Sequence, residues 1–310
     1  MIMNAVVVGG AGFIGTHLTE LLLSEGYNVT VIDKLTYASN EKFILDLIPK
    51  VKLLRYDITD YDNIYSSLKS IKPDAIYHLA AESHVDNSIA NSHPFIHTNI
   101  VGTHSILESV RKLDIPLISY ETDEVYGDII EGSFSEKSNL NTRSPYAASK
   151  GSAHLLTNSY IETYGIKVIM TRPSNAYGQR QNTEKLIPKT ITNAINNKKI
   201  PVYGNGNNVR DWLYVKDLCI ATLMLYKKGS WGEIYNISGR NELRNLDVIK
   251  KILNIMNKPY DLIEYVQDRK GHDKRYSCFS DKIEKLGWKP ITSFDNGLKT
   301  TIDWYKSNYL

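Results

Sequence analysis

The stretch Ala5-Val6-Val7-Val8-Gly9-Gly10-Ala11-Gly12-Phe13-Ile14-Gly15 decides the fold. Four apolar residues predict a buried strand, and Gly9, Gly12 and Gly15 follow at GxxGxxG spacing, just before a helical pattern through Leu18, Leu21 and Leu22. Glycines at those steps permit a tight turn, close backbone approach to a pyrophosphate and close helix packing, with the helix N-terminus facing the phosphates. A second expected strand, 29–32, ends in Asp33, about 20 residues beyond the glycines. An acidic side chain there accepts hydrogen bonds from both ribose hydroxyls and repels a 2′-phosphate, so the expected cofactor is NAD rather than NADP. Lys34 works against that preference. Asp57 and Ile58, after a third strand, are expected beside the adenine ring, whose amino group needs an acceptor.

The alternation continues outward from this unit. Strands are expected over 52–56, 75–79, 116–120 and 167–171, and helices over 61–69, 95–112 and 146–164. Short apolar strands separated by helices predict a doubly wound, mostly parallel α/β Rossmann sheet with both faces covered. After Arg172-Pro173 the chain turns rich in Asn, Lys and Gly through residue 208, with one helical pattern over 187–196. Residues 211–226 and 234–237 again look like core, and helices are expected over 245–256, 281–286 and 294–307. We therefore expect an NAD-binding domain of residues 1–173 and 209–240, and a smaller, discontinuous substrate domain of residues 174–208 and 241–310.

Composition narrows the function. The 310 residues suit about two domains, and no apolar run approaches the roughly 20 residues that cross a bilayer. Met1-Ile2-Met3-Asn4 lacks the basic start of a secretory signal, so a cytoplasmic protein is expected. Thirty-seven Lys and Arg against 34 Asp and Glu leave a net charge of +3, which gives no reason to expect a nucleic-acid or membrane partner. Cys219 and Cys278 form no CxxC pair, and His93 and His97 have no acidic third ligand nearby, so neither a disulfide framework nor a metal site is expected. The sequons at Asn28 and Asn236 fall in expected strands and are taken as chance.

Ser144-Pro145-Tyr146-Ala147-Ala148-Ser149-Lys150 sets Tyr146 and Lys150 one helical turn apart on a shared face. A phenol titrates near pH 10; a nearby ammonium, together with a nicotinamide cation, favours phenolate, a base able to take a hydroxyl proton as hydride leaves the same carbon.

From the glycine turn through this pair to the C-terminus, the chain resembles the extended short-chain dehydrogenase/reductase family, and within it the nucleotide-sugar 4,6-dehydratases of the dTDP-glucose type. The stretches that carry the likeness are Asp33-Lys34-Leu35-Thr36-Tyr37-Ala38, Leu79-Ala80-Ala81-Glu82-Ser83-His84-Val85-Asp86, Thr122-Asp123-Glu124-Val125-Tyr126-Gly127, Glu184-Lys185-Leu186-Ile187-Pro188 and Val209-Arg210-Asp211-Trp212-Leu213-Tyr214-Val215. Gly271-His272-Asp273 and Leu286-Gly287-Trp288-Lys289-Pro290 extend it.

The resemblance implies that C4 of an NDP-hexose, dTDP-glucose above all, is oxidised, that water is lost across C5 and C6, and that C6 is then reduced, with NAD regenerated. Elimination needs a base at C5 and an acid for the departing C6 hydroxyl, and adjacent carboxylates repel, so one tends to keep its proton. Residue types alone do not assign the order; the resemblance makes Glu124 the base and Asp123 the acid, with Thr122 orienting the C4 hydroxyl. It gives Arg210 and Lys185 to the diphosphate, with Arg269 and His272 closing over the site, and Ser83, Asn175, Leu186, Pro201, Val202, Tyr203 and Asn245 to the substrate. Phe13, Ile14, Asp33, Lys34, Leu35, Thr36, Asp57, Ile58, Leu79, Ala80, Ala81 and Thr98 fall to NAD. Related enzymes pair through two long helices, so a homodimer built as a four-helix bundle from 95–112 and 146–164 is expected.

The chain also departs from the pattern. Glu121 stands at a usually small, polar position and is expected to add a carboxylate beside the acid and base. Ala176 removes a polar contact to the cofactor. Gln179-Arg180, Asn182-Thr183 and Lys270 change the nucleotide pocket. A UDP-sugar 4-epimerase or a UDP-glucuronate decarboxylase would not need Asp123 and Glu124, and a non-catalytic NAD-sensing regulator would keep the glycines while dispensing with Tyr146 or Lys150.

Overall fold

A computed structural model describes residues 2–47 and 50–309. In chain order the strands are β1 (Asn4–Val8), β2 (Asn28–Ile32), β3 (Val51–Leu54), β4 (Ala75–His78), β5 (Leu117–Tyr120), β6 (Val168–Pro173), β7 (Asn175–Tyr177), β8 (Ile200–Tyr203), β9 (Val209–Tyr214), β10 (Ile234–Ile237), β11 (Glu242–Arg244) and β12 (Ile263–Val266). Seven of them form one parallel sheet in the order β10-β6-β5-β4-β1-β2-β3. The order reverses at β1, which pairs with β2 on one side and β4 on the other, and a ligand crevice opens beyond the strand ends at such a point.

Both faces of this sheet are covered, which is why β1, β4 and β5 read as apolar runs rather than alternating ones. On one face lie α1 (Phe13–Ser24) and, far along the chain, a helix at Val215–Lys228; Leu18 and Leu22 share a core with Leu218 and Leu225. The other face buries Ile64, Leu68, Ile106, Leu107 and Tyr160. A second core gathers Ile187, Ile191, Val248, Ile252, Leu298 and Ile302 around Tyr177 and Trp212. Beside it stand a three-stranded sheet, β11-β9-β7, and the pair β12-β8. Thus β9 pairs outside the large sheet, while β10 returns to it.

Two short helices, α2 (Glu41–Leu47) and α4 (Val85–Ala90), lie in stretches where no element is expected from sequence, and α3 (Tyr61–Ile71) separates them. The single helix expected over 95–112 is three pieces: α5 (His93–Ile96), a wide π-helical stretch (His97–Gly102) and α6 (Thr103–Leu113). The wide turn has local causes. A side chain at Gly102 would come within 2.4 Å of Ile58, and Asn99 bonds the backbone of Glu82 in both directions while its Nδ2 also donates to Ser149 at 2.8 Å. Such bulges recur at functional sites.

The next helix, α7 (Pro145–Tyr164), starts with Pro145 in its first turn and the Ser144 hydroxyl accepting the Ala147 N–H at 3.0 Å, a proline-plus-serine N-cap. The remaining helices are α8 (Leu186–Ile195), α9 (Val215–Lys228), α10 (Asn245–Ile255), α11 (Asp281–Glu284) and α12 (Phe294–Tyr309). Among the described residues, no helix is long and apolar enough to cross a membrane, and no group of three His, Cys, Asp or Glu could hold a metal ion.

Candidate active site

The glycine turn is held by close backbone approach. Gly9 has φ +81°, and a Cβ there would lie 2.5 Å from the Ala80 nitrogen; one at Gly15 would lie 2.2 Å from the Gly9 carbonyl. Only glycine fits at either place. Beyond the turn runs a trench in three connected parts. The first, about 550 Å³, is lined by Gly9, Gly12, Asp33, Thr36, Leu79, Ala80, Ala81 and Thr98, with Tyr56 and Ile58 among its walls. The second, about 890 Å³, shares Gly9, Gly12, Leu79 and Ala81 with the first and continues past Phe13, Ile14, Gly15 and Ser83 to Tyr146 and Lys150. The third, about 1050 Å³, shares Lys185 with the second and holds Glu124, Asn175, Leu186, Pro201, Val202, Tyr203, Arg210, Asn245, Arg269 and His272.

At the end of β2, Asp33 Oδ2 accepts the Ala11 N–H at 3.0 Å, while Oδ1 accepts the Leu35 N–H at 2.8 Å and the Ser39 hydroxyl at 3.3 Å. Burial pushes its pKa up, and these donors oppose the shift. Leu35 reaches the carboxylate by adopting φ +58°, a left-handed backbone unusual for a branched side chain, and packs its own side chain against the core. Lys34 lines the same cleft, with its Nζ 3.4 Å from Asp57 and 3.9 Å from Glu82. Asp57 Oδ1 takes the Thr59 N–H and hydroxyl, each at 3.0 Å, and its Oδ2 lies 3.4 Å from Lys34 Nζ. A glycine cradle and a buried carboxylate at the end of β2 fit a dinucleotide such as NAD.

Tyr146 and Lys150 project from one face of α7 into the second part of the trench. Lys150 Nζ donates to the Tyr120 carbonyl at 2.5 Å. Burial pulls its pKa down to about 8, with Glu121 acting against that fall. Burial and then the charge of Glu124 push the Tyr146 pKa up, against a smaller opposing pull from the Thr122 hydroxyl. A dry pocket with carboxyl groups disfavours phenolate until positive charge arrives.

Thr122, Asp123 and Glu124 follow β5, where Asp123–Tyr126 form a 3₁₀ turn capped by Thr122, whose Oγ1 accepts the Glu124 N–H at 3.3 Å. Asp123 lies under the floor, 3% exposed; Oδ1 takes the Thr122 hydroxyl at 3.4 Å and Oδ2 has no partner. Burial, then Glu124, then Asp211 raise its pKa well above the usual carboxylate range. Glu124 opens on the third cleft. Burial raises it too, but Lys185, Arg210 and Arg269 oppose the rise. Of the two carboxyl groups, Asp123 is pushed further above the usual carboxylate range.

In the third cleft Arg210 is set in place before any ligand arrives. Its guanidinium donates to the Val209 and Asp273 carbonyls at 2.8 and 2.9 Å and lies 4.1 Å over the Tyr276 ring. Lys185 donates to the Ser83 carbonyl at 2.8 Å, and burial lowers its pKa. Opposite, Arg269 sits 3.3 Å from Asp86, which also accepts the Tyr203 hydroxyl at 3.1 Å. His272 is pulled down to about 4 by burial and Arg269, with Nδ1 2.6 Å from Asp268. Asn175 and Asn245 each keep a buried, unpartnered Oδ1.

Glu121 is not beside the acid and base in the sense expected. It binds Arg172 and His154 and bears on Lys150. At the Ala176 departure, Gln181 brings a polar group to both inner clefts; its Nε2 donates to the Ala176 carbonyl at 2.9 Å and its Oε1 is buried without a partner. Sequence reasoning missed Gln181, and also His84, Asp86, Trp212 and Tyr276 on the third cleft. For Trp212, His84 and Asp86 the signal was present, since all three lie inside the stretches that carry the likeness.

A family profile described as GDP-mannose 4,6 dehydratase matches residues 6–301. The low-salt glycan biosynthesis protein Agl12 of Haloferax volcanii is 42% identical, covering 98% of each chain. The dTDP-glucose 4,6-dehydratase of Haemophilus influenzae is 41% identical over 99% of this chain and 98% of its own. The solved structure of DesIV, a dTDP-glucose 4,6-dehydratase of Streptomyces venezuelae with NAD bound, superposes with a TM-score of 0.96 at 41% identity, covering 99% of this chain and 98% of that one. The UDP-glucose 4-epimerase of Thermotoga maritima has a TM-score of 0.93 at 27% identity, covering 99% and 100%.

Proposed function

The chain belongs to the GDP-mannose 4,6 dehydratase family, and on that premise we propose that it is a hydro-lyase that converts an NDP-hexose, dTDP-glucose by preference, to the NDP-4-keto-6-deoxyhexose. The observation that carries this reading is the couplet Asp123 and Glu124: one carboxyl group is buried and proton-retaining, the other faces the sugar cleft, and both bear on Tyr146. A 4-epimerase needs no such couplet.

NAD, held by the glycine turn and Asp33, would supply reversible hydride acceptance at the hexose. Tyr146 takes the O4 proton, with Thr122 orienting that hydroxyl and Lys150 favouring the phenolate by its charge. The new 4-keto group acidifies the C5 hydrogen, which Glu124 removes while Asp123 protonates the departing C6 hydroxyl. Water leaves. Glu124 returns its proton to C5 as C6 is reduced, and the O4 proton held on Tyr146 balances the one Asp123 gave up.

In this reading, Arg210 and Lys185 take the diphosphate, since forked and point cations suit it. Arg269 and His272 close from the C-terminal segment, and Ser83, Asn175, Leu186, Pro201, Val202, Tyr203 and Asn245 line the nucleotide and sugar. Residues 1–173 and 209–240 serve the dinucleotide; 174–208 and 241–310 serve the nucleotide sugar. We further propose a cytoplasmic homodimer paired through the α5–α6 run and α7. Its support is the exposure of Ile96, Val101 and Leu155 on those helices.

The test is incubation with dTDP-glucose, UDP-glucose, CDP-glucose and GDP-mannose, followed by mass measurement and absorbance in alkali. Loss of one water with a ketosugar chromophore is expected, fastest with dTDP-glucose. A product isomeric with its substrate would replace this reading with the epimerase one.

A further inference from the structure

Glu121 follows β5 and lines the dinucleotide cleft, yet its side chain is almost wholly shut from water. Oε2 accepts the Arg172 Nε–H at 2.7 Å, and Oε1 lies 2.9 Å from His154 Nδ1. The two clamps come from different elements. Arg172, on β6, also sits 4.7 Å over the Tyr126 ring; His154, on α7, is itself 3.2 Å from Arg172 Nη2. Tyr146, Lys150 and His154 follow at four-residue steps, so one face of α7 carries all three. Lys150 Nζ bonds the carbonyl of Tyr120, the residue just before Glu121.

We propose that Glu121 is a positioning residue for the reaction: its carboxylate, pinned by Arg172 and His154, is the counter-charge that keeps Lys150 an ammonium anchored one helical turn from Tyr146. The other groups packed around Lys150 do not serve that end. His78, on β4, is pushed down to about 3 by burial and Lys150 itself, and its Nε2 meets the Thr103 hydroxyl. The Tyr120 phenol bonds Thr222, and its burial keeps it neutral. Asp123 and Glu124 bear on Tyr146. Although burial raises it, Arg172 and His154 hold the Glu121 carboxyl below its usual range, so the counter-charge persists through neutral pH.

The sign follows. Glu121 opposes the fall that burial imposes on Lys150, so removing the carboxylate lets Lys150 lose its proton at lower pH. Two variants separate this from a folding role. Glu121→Gln removes the charge alone; Glu121→Gln with Arg172→Met removes both members of the buried pair, an exchange that buried ion pairs often tolerate. In NAD-loaded protein labelled with 13C-lysine, the Lys150 ε-resonance, assigned with Lys150→Met, reads the titration directly. We expect its midpoint to fall by about one pH unit in Glu121→Gln, a roughly tenfold loss of ammonium above the wild-type midpoint, and by less in the double variant, where a cation leaves with the anion. The alkaline limb of kcat for dTDP-glucose should move with it, and Glu121→Asp should restore part of the shift.

A midpoint that stays in place in variants that remain folded would overturn the proposal, leaving Glu121 and Arg172 a purely structural pair. The kcat arm rests on the dehydratase reading, whereas the resonance does not. Absence of turnover by the wild type would therefore refute that reading while the Lys150 titration still decided this one.

Discussion

Asp123 and Glu124 are consecutive residues whose carboxyl groups meet opposite surroundings: Oδ2 of Asp123 is shut from water without a partner, while Glu124 borders the sugar cleft with Lys185, Arg210 and Arg269 opposing its burial. Two like groups in one turn thereby come to hold their protons differently. The same asymmetry has a cost in stability that can be measured.

Asp123→Asn removes a carboxyl whose folded-state pKa is raised above the ordinary 3.8. A raised group gives stability that is full below the unfolded value and lost as pH rises through the folded one. The variant escapes that loss. Its Tm should therefore exceed that of the wild type at pH 8, with the gap closing as pH falls toward 4; a gap that widens on acidification would contradict the burial account.

Asp123→Asn combined with Glu124→Gln should separate the two halves of the reaction. Oxidation at C4 needs neither carboxyl group, so mixing with dTDP-glucose is expected to raise absorbance at the reduced-nicotinamide wavelength while no 6-deoxy product forms. Full turnover by the double variant would refute both roles.

Tyr146→Phe should stop the reaction before any reduced cofactor appears. A positioned acid or base contributes about 10²- to 10⁴-fold, so kcat should fall at least that far, with bound NAD content unchanged. Retained reduction without elimination would move the base to another residue.

Asp33→Ser removes the charged acceptor facing the ribose. Hydrogen bonds to charged groups contribute about 1.5–3 kcal/mol, so NAD retention should weaken roughly ten- to hundredfold. The measurement is the nucleotide released from purified protein by dialysis. NADP should gain little, because Lys34 remains engaged by Asp57 and Glu82.

Leu155→Asp places a charge on an exposed apolar position of α7. If the helices pair as proposed, sedimentation should show a shift from dimer to monomer, and an unaltered sedimentation coefficient would remove that face from the interface.

The parts of the site legible in the sequence are those set by local rules. Strand, glycine turn, helix and Asp33 follow one another within a single unit, and Tyr146 with Lys150 needs only the helical repeat. A local rule also acts at Asp57, whose Oδ1 accepts from Thr59 two residues on, as Asp readily does in turns. The wide turn at His97–Gly102 shifts the apolar period by a single residue, too little to see in a pattern. Gln181 and Tyr276 arrive from separate segments by tertiary packing, and no spacing announces them. The protonation order of Asp123 and Glu124 depends on Asp211, Lys185, Arg210 and Arg269, which the chain brings together only on folding.

Leu35 stands in a backbone region that disfavours it by about 1–2 kcal/mol, and it does so to offer its N–H to Asp33. A screen for heat resistance would be drawn to glycine or asparagine here, since either relaxes the turn. The same relaxation frees the loop that presents the ribose acceptor, so hardier clones selected at this position should discriminate less sharply between dinucleotides.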